Sequence, residues 1–155
     1  KQRNAIFFEE QIYDAYSLLL DILKNATKEI IIIDNYASKE FCWWAIERKV
    51  DRELIGEIDL YDFDITTGNC KVSYSIGYEW WNQGYGTEAL KAVVEFGFQY
   101  MNLHKISAAH NTDNPASGKV MSKVGMVQEG IIRHMIRNAK NQYVPIFAYY
   151  CIWCR

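Results

Sequence analysis

The segment Trp80–Phe98, "WWNQGYGTEALKAVVEFGF", sets two glycines two residues apart immediately before an amphipathic helix. Gly84 and Gly86 permit positive φ and leave the backbone bare. Leu90, Val93, Val94, Gly97, Phe98 and Met101 then recur at helical spacing, while Glu88, Lys91, Glu95 and Gln99 fall outside that stripe. The first turn of any helix has N–H groups without intrahelical acceptors, and the peptide dipoles put partial positive charge behind them. Kept free of side chains, such a turn is a seat for an anion. A Gly-x-Gly step before a helix also occurs as a plain turn, so this motif alone leaves both readings open.

The chain has 155 residues, half of them hydrophobic and 15% aromatic, which suits one globular domain with a sizeable core. A formal net charge of −2 argues against holding nucleic acid by bulk electrostatics. Apolar runs such as "IIII" at 30–33 are far too short to span a membrane, and no secretory segment is apparent at the start. Four cysteines, Cys42, Cys70, Cys151 and Cys154, lack the spacing of a zinc site. The pair "CIWC" lies in an apolar aromatic segment, so ordinary buried thiols in a cytoplasmic protein are expected, with no metal.

The pattern Ile12, Ala15/Tyr16, Leu19/Leu20, Leu23 predicts a helix over Glu9–Asn25, and "EIIIID" (Glu29–Asp34) a short buried strand. Strands follow at Phe41–Lys49, Glu53–Asp64 and Cys70–Glu79, the last two joined by the turn "TTGN". After the glycine loop and its helix comes a strand at Leu103–His110. Asn114 followed by Pro115 marks a helix start, with Asn at the cap and Pro at the first helical position. Gly125 suits that helix's left-handed stop, and Met126–Arg137 with Tyr143–Trp153 forms a closing antiparallel pair. The order predicts a mixed α/β sheet with no internal repeat.

From about Trp43 to Trp153 the chain resembles the GNAT superfamily of acetyl-CoA-dependent N-acetyltransferases, most of all the branch that acetylates ribosomal-protein N-termini. The strand "KVSYSIGYEWW", the loop "NQGYGTEA" and the run "HNTDNPASGKVMSKVGM…QEG" carry the likeness in order and spacing. It implies a mixed, mostly antiparallel twisted sheet flanked by helices, with two strands splayed at the acetyl-CoA site. It further implies that Asn82, Gln83, Gly84, Tyr85, Gly86 and Thr87 wrap the pyrophosphate of coenzyme A with backbone N–H groups. The pantetheine arm would pair with strand edges at Ser75, Ile76, Gly77 and Tyr78 and at Ser107–His110. The family pattern has a polar residue where this chain has Trp81, a contact that Gln83 is expected to supply.

By the same resemblance Asn114 holds the cofactor arm, and Ser117 protonates the departing thiolate after direct attack by the amine. Read without the family, Asn114 caps a helix and Ser117 sits in its first turn. The base is harder to place. Relatives carry a Glu at the positions of Lys71 or Ile136, and neither carboxylate is present here. Glu57, Glu79, His110 and His134 stand as substitutes, each with a solvated or structural role as its alternative. An α-amine, with a pKa near 8, is easier to deprotonate than a lysine side chain, which favours N-terminal amines as acceptors.

The first 40 residues depart from the family's opening, so the expected division is an atypical helix–strand segment at 1–40 and an acetyl-CoA-binding core at 41–155 of a single domain. That segment resembles one found beyond the DNA-binding part of certain phage-type regulators. Either "EIIIID" completes the sheet edge or the chain is a join near Ser38–Cys42. An uncovered edge would invite a homodimer. The expected function is transfer of acetyl from acetyl-CoA to a primary amine, on a protein N-terminus or a small molecule; the alternative is a domain that binds CoA with little or no turnover. Acidic Glu57, Asp59, Asp62 and Asp64 would draw a cationic acceptor, or are simply a solvated face.

Overall fold

The computed structural model describes residues 29–37 and 41–152. The helix expected over Glu9–Asn25, and Cys154, lie outside them. Seven strands form one sheet: β1 (Ile30–Ala37), β2 (Phe41–Arg48), β3 (Leu54–Asp64), β4 (Asn69–Ile76), β5 (Lys105–Asn111), β6 (Val127–Arg137) and β7 (Tyr143–Ile152). Helix α1 (Tyr85–Gln99) links β4 to β5, and α2 (Pro115–Lys123) links β5 to β6. Sheet order is β1-β2-β3-β4-β5-β7-β6. Every pairing is antiparallel except β4 with β5. β1 bonds to β2 at the sheet edge, so "EIIIID" does complete the sheet there.

Alternation sorts the strands into two faces. Cys42, Trp44 and Ile46 of β2, Ile58 and Leu60 of β3, and Cys70 and Val72 of β4 are buried with α1 in one core. Trp44, 1% exposed, meets Phe96 of α1 edge-on at 6.5 Å. Burial on α1 is wider than the predicted stripe. Ala89, Ala92 and Phe96 are buried as well, with Phe96 stacked on Tyr100 at 5.7 Å. The opposite sheet face presents Trp43, Glu57, Asp59, Ser73 and Ser75, tied by side-chain hydrogen bonds across β2, β3 and β4.

Several element ends shift by one to three residues from the sequence expectation. The larger departures are bulges, at Asp62 (φ 56) in β3 and His134 (φ 53) in β6. Left-handed backbone at non-glycine residues gives hydropathy patterning nothing to register. The loop before α1 and the turn after α2 fall where expected, with Gly84 at φ 92 and Gly125 at φ 89.

Gly56 is the tightest point on the sheet side of the site. It pairs with Ile76, and a Cβ there would lie 3.1 Å from Ile76 Cα and would overlap the Ser75 carbonyl oxygen. Both obstacles are backbone, so relief requires moving β4. Overpacking of this kind costs about 1–3 kcal/mol. Gly56→Ala is therefore expected to lower the unfolding free energy by that amount, read from equilibrium urea unfolding against wild type.

Candidate active site between β4 and β5

β4 and β5 pair for only three residues each, Asn69–Lys71 against Lys105–Ser107. Beyond that point the strands part, leaving Val72–Ile76 and Ala108–Asn111 without each other. Gly77 N–H donates to Ile55 O at 2.8 Å, so Gly77 faces β3. Because antiparallel bonding alternates, Ser75 also turns its main chain to β3, while Tyr74 and Ile76 turn theirs to the gap. Of the edge expected at Ser75–Tyr78, then, only Ile76 faces the opening. Its carbonyl is already taken by Trp81, whose indole N–H donates to it at 2.7 Å.

That contact explains why an aromatic residue sits at position 81. Trp81 is half exposed, and its ring lies 5.1 Å from that of Tyr78, itself 80% exposed. The Gln83 side chain donates to Glu79 O at 3.0 Å and so closes the loop upon itself. Asn82 takes a left-handed φ of 61. These three residues hold the loop into α1.

Gly84 caps α1 with no side-chain hydrogen bond, and the first bond of the helix runs from Glu88 N to Gly84 O at 3.0 Å. Among the described residues the N–H groups of Tyr85, Gly86 and Thr87 have no acceptor. Tyr85 buries its side chain in the core, so its amide alone faces the loop. Gly84 is required by its φ. Gly86 is required by neither φ nor packing, because a Cβ there would stand 3.5 Å from Ile76 and 4.0 Å from Tyr74 and Val120, ordinary contacts. What a methyl at 86 would fill is the space where β4, α1 and α2 meet. Three free amides bordering that space fit a phosphate group.

On the other side of the gap α2 is started by Asn114, whose Oδ1 accepts from Ser117 N at 3.4 Å and whose Nδ2 donates to Ser117 Oγ at 3.1 Å. Asn114 thus caps α2 at the edge of the gap. Ser117 Oγ accepts from Asn114 and keeps its own proton to give. Tyr74 reaches from β4 to donate to the Ser117 carbonyl at 3.0 Å, and burial pushes its phenol up to about 12, which keeps that proton in place. The sequence gives no sign of this bridge, since nothing in the local pattern pairs positions 74 and 117.

His110 is 8% exposed and stacks between Phe147 and Tyr149 at 5.3 and 5.5 Å. Nδ1 lies 2.7 Å from Asn111 O, an acceptor, so Nδ1 carries the proton. The same carbonyl accepts from Asn114 N–H at 2.8 Å. Nε2 is buried without a partner against Gly118, where a Cβ would come within 2.6 Å. The imidazole therefore packs under the first turn of α2 and braces the turn that presents Asn114.

The other proposed bases are placed as follows. Both oxygens of Glu57 are engaged, by Trp43 Nε1 at 3.0 Å and Ser75 Oγ at 3.3 Å. Glu79 is exposed in the short turn Tyr78–Trp80, and His134 sits in the β6 bulge with its ring 6.0 Å from that of Tyr143. Lys71 pairs with Asp62 at 2.6 Å, a hydrogen bond that raises the lysine's pKa. Ile136 is partly exposed on β6.

Residues 16–127 match the model of the acetyltransferase (GNAT) domain. The chain belongs to the GNAT acetyltransferase family. The match takes in residues 16–40 of the opening segment that the sequence reading set apart. The uncharacterized N-acetyltransferase YoaA of Bacillus subtilis is 30% identical over 139 residues, 86% of this chain and 77% of that protein. The [ribosomal protein uS5]-alanine N-acetyltransferase of Escherichia coli is 33% identical over 83 residues, 52% of this chain and 42% of that one. A Bacillus anthracis GNAT acetyltransferase superimposes with a TM-score of 0.65 at 25% identity, covering 71% of this chain and 65% of its own. Several relatives are thus spanned over only about half to two thirds of their length. Family members use acetyl-CoA as acetyl donor. Among the described residues no group of three or more His, Cys, Asp or Glu could hold a metal, and no helix is long and apolar enough to cross a membrane.

Two glycine substitutions separate ligand from packing. Gly86→Ala is expected to fold with an unchanged melting temperature and to weaken CoA by about tenfold to a hundredfold, the loss of one charge-assisted hydrogen bond. Gly118→Ala drives a methyl into a boxed-in imidazole and is expected to lower the melting temperature as well. Calorimetric titration with CoA beside thermal melts reads both.

Proposed function

We propose that this chain transfers acetyl from acetyl-CoA to a primary amine by direct attack of the amine on the thioester. The observation that supports it most is the parting of β4 from β5 beside the acceptor-free amides of Tyr85, Gly86 and Thr87. Asn82, Gln83 and Gly84 shape the loop that would hold the diphosphate, with Ile76 along the arm and Asn114 at its far side. The bound donor supplies an activated acyl carbon; the protein's own part is to bind it, orient it and manage protons. Ser117 has a hydroxyl proton available for the departing sulfur, held in direction by Asn114.

The acceptor we favour is the α-amine of a protein N-terminus, because the uS5-alanine N-acetyltransferase is among the relatives and an α-amine loses its proton most readily. A small amine is the other choice, and spermidine acetyltransferase structures share the fold at 19% identity. A cytoplasmic setting suits the buried thiol of Cys70, which burial pushes up to about 12 and so keeps unreactive. Lys71 and Ile136 stand where relatives carry a glutamate, and this favours a second reading, CoA binding with little turnover.

Incubation with acetyl-CoA and a panel of alanine- or serine-initiated peptides, spermidine and simple amines separates the two. Acceptor-dependent release of free thiol is the expected result. CoA binding by titration with no thiol above background would establish the second reading, and absence of CoA binding would remove both.

A further inference from the structure

Side chains alternate along β4, so Tyr74 and Ser73 leave the strand on opposite faces at the start of the gap. Tyr74 goes to the helix side, where it meets the first turn of α2 and Ser117. Ser73 goes to the other face, two residues past the last β4–β5 pair, and is exposed there. Its hydroxyl donates to Asp59 Oδ2 on β3 at 2.7 Å. The proton source for a leaving thiolate thus sits on one face of the sheet, and a serine–aspartate pair sits on the other, at the same opening.

Asp59 differs from the acidic residues around it. Its Oδ1 is buried with no hydrogen-bond partner, while Glu57 has both oxygens engaged and Asp62 is paired with Lys71. A carboxylate with one oxygen desolvated and uncompensated holds a proton more tightly than a solvated one. Burial raises the Asp59 pKa more than the Ser73 hydrogen bond lowers it, and the charge of Glu57 adds to the rise. On that face of the described sheet Trp43 and Ala45 of β2 and Ser107 of β5 bring no charge, and the cations Lys71 of β4 and Lys105 of β5 are held by Asp62 and Glu129.

We propose that Ser73 and Asp59 form the proton relay that deprotonates the acceptor amine. This rests on the acetyl-transfer reading above and supplies the base that positions 71 and 136 lack. As the C–N bond forms and the C–S bond breaks, the proton shed by nitrogen passes to Ser73 Oγ. The Ser73 proton passes in the same motion to Asp59 Oδ2. On the other face the sulfur takes the Ser117 proton. Asp59 then releases its proton to solvent and Ser117 regains one, so the sum is amine plus thioester giving amide plus thiol.

A relay residue of this kind is held against the preference of the fold. With a folded pKa above its unfolded value, Asp59 contributes fully to stability only below the usual aspartate range, and that contribution is lost as pH rises through the folded pKa. At neutral pH the ionised carboxylate opposes folding, and Asp59→Asn is expected to melt at an equal or higher temperature there. The same variant is expected to lose at least about a hundredfold in kcat, the usual scale of general base catalysis, with CoA affinity within twofold of wild type. Ser73→Ala is expected to lose kcat similarly.

A second readout does not depend on turnover. The carboxyl carbon signal of Asp59 in the CoA-saturated protein is expected to move on addition of n-butylamine, and to stay put in the Ser73→Ala variant. Wild-type kcat in Asp59→Asn, or an Asp59 signal that butylamine leaves unmoved while CoA is bound, would overturn the relay and leave the acetyl-transfer reading standing. Failure of the wild-type protein to bind CoA would overturn both.

Discussion

The site depends on a hydrogen-bond ladder that stops early. β4 and β5 are the one parallel pair in the sheet, joined at Asn69–Lys71 and Lys105–Ser107 and nowhere further along. A sheet that paired to its ends would bury the backbone groups of Tyr74 and Ile76 against β5. Here they border an opening, with α1 beginning on one side of it and α2 on the other. Three contacts hold the parted strands at their spacing: Gly56 lets β3 lie close against β4, Trp81 ties the loop to Ile76, and Tyr74 reaches Ser117. Each fixes a distance that a bound thioester donor would otherwise have to impose, and preorganisation of this sort lowers the free energy of ordering on binding.

The glycines show how differently one residue type can be used. Gly84 answers to backbone conformation, Gly56 and Gly118 to close neighbours, and Gly86 to neither. Gly86, at the head of α1, is thus a position that neither backbone conformation nor packing reserves for glycine. His110 and Gly118 form a size-matched pair, and the imidazole braces the turn that presents Asn114.

Much of this was legible in the chain beforehand, and the reason is locality. The Gly-x-Gly step, the Asn-Pro cap and Gly125 each act within a few residues, so their geometry follows from the sequence around them. The succession of strands and helices came from apolar runs, turn signals and helical spacing. Relations across distance did not show. Trp81 with Ile76, Tyr74 with Ser117, and Asp59 with Ser73 join residues whose own neighbours give no sign of the partner. Asp59 read as one more acid on a solvated face because burial of a single carboxylate oxygen depends on the packing of three strands. The bond from Gln83 to Glu79 was hidden for a similar cause: its acceptor is a main-chain carbonyl, which side-chain patterns cannot register.

The central claim is that the amides opening α1 grip the diphosphate of CoA. Amide nitrogen spectra recorded through a CoA titration test it without reference to any acceptor. The account predicts that the Tyr85, Gly86 and Thr87 signals move furthest and in step with saturation. Saturation that leaves those three unmoved while signals elsewhere shift would contradict it.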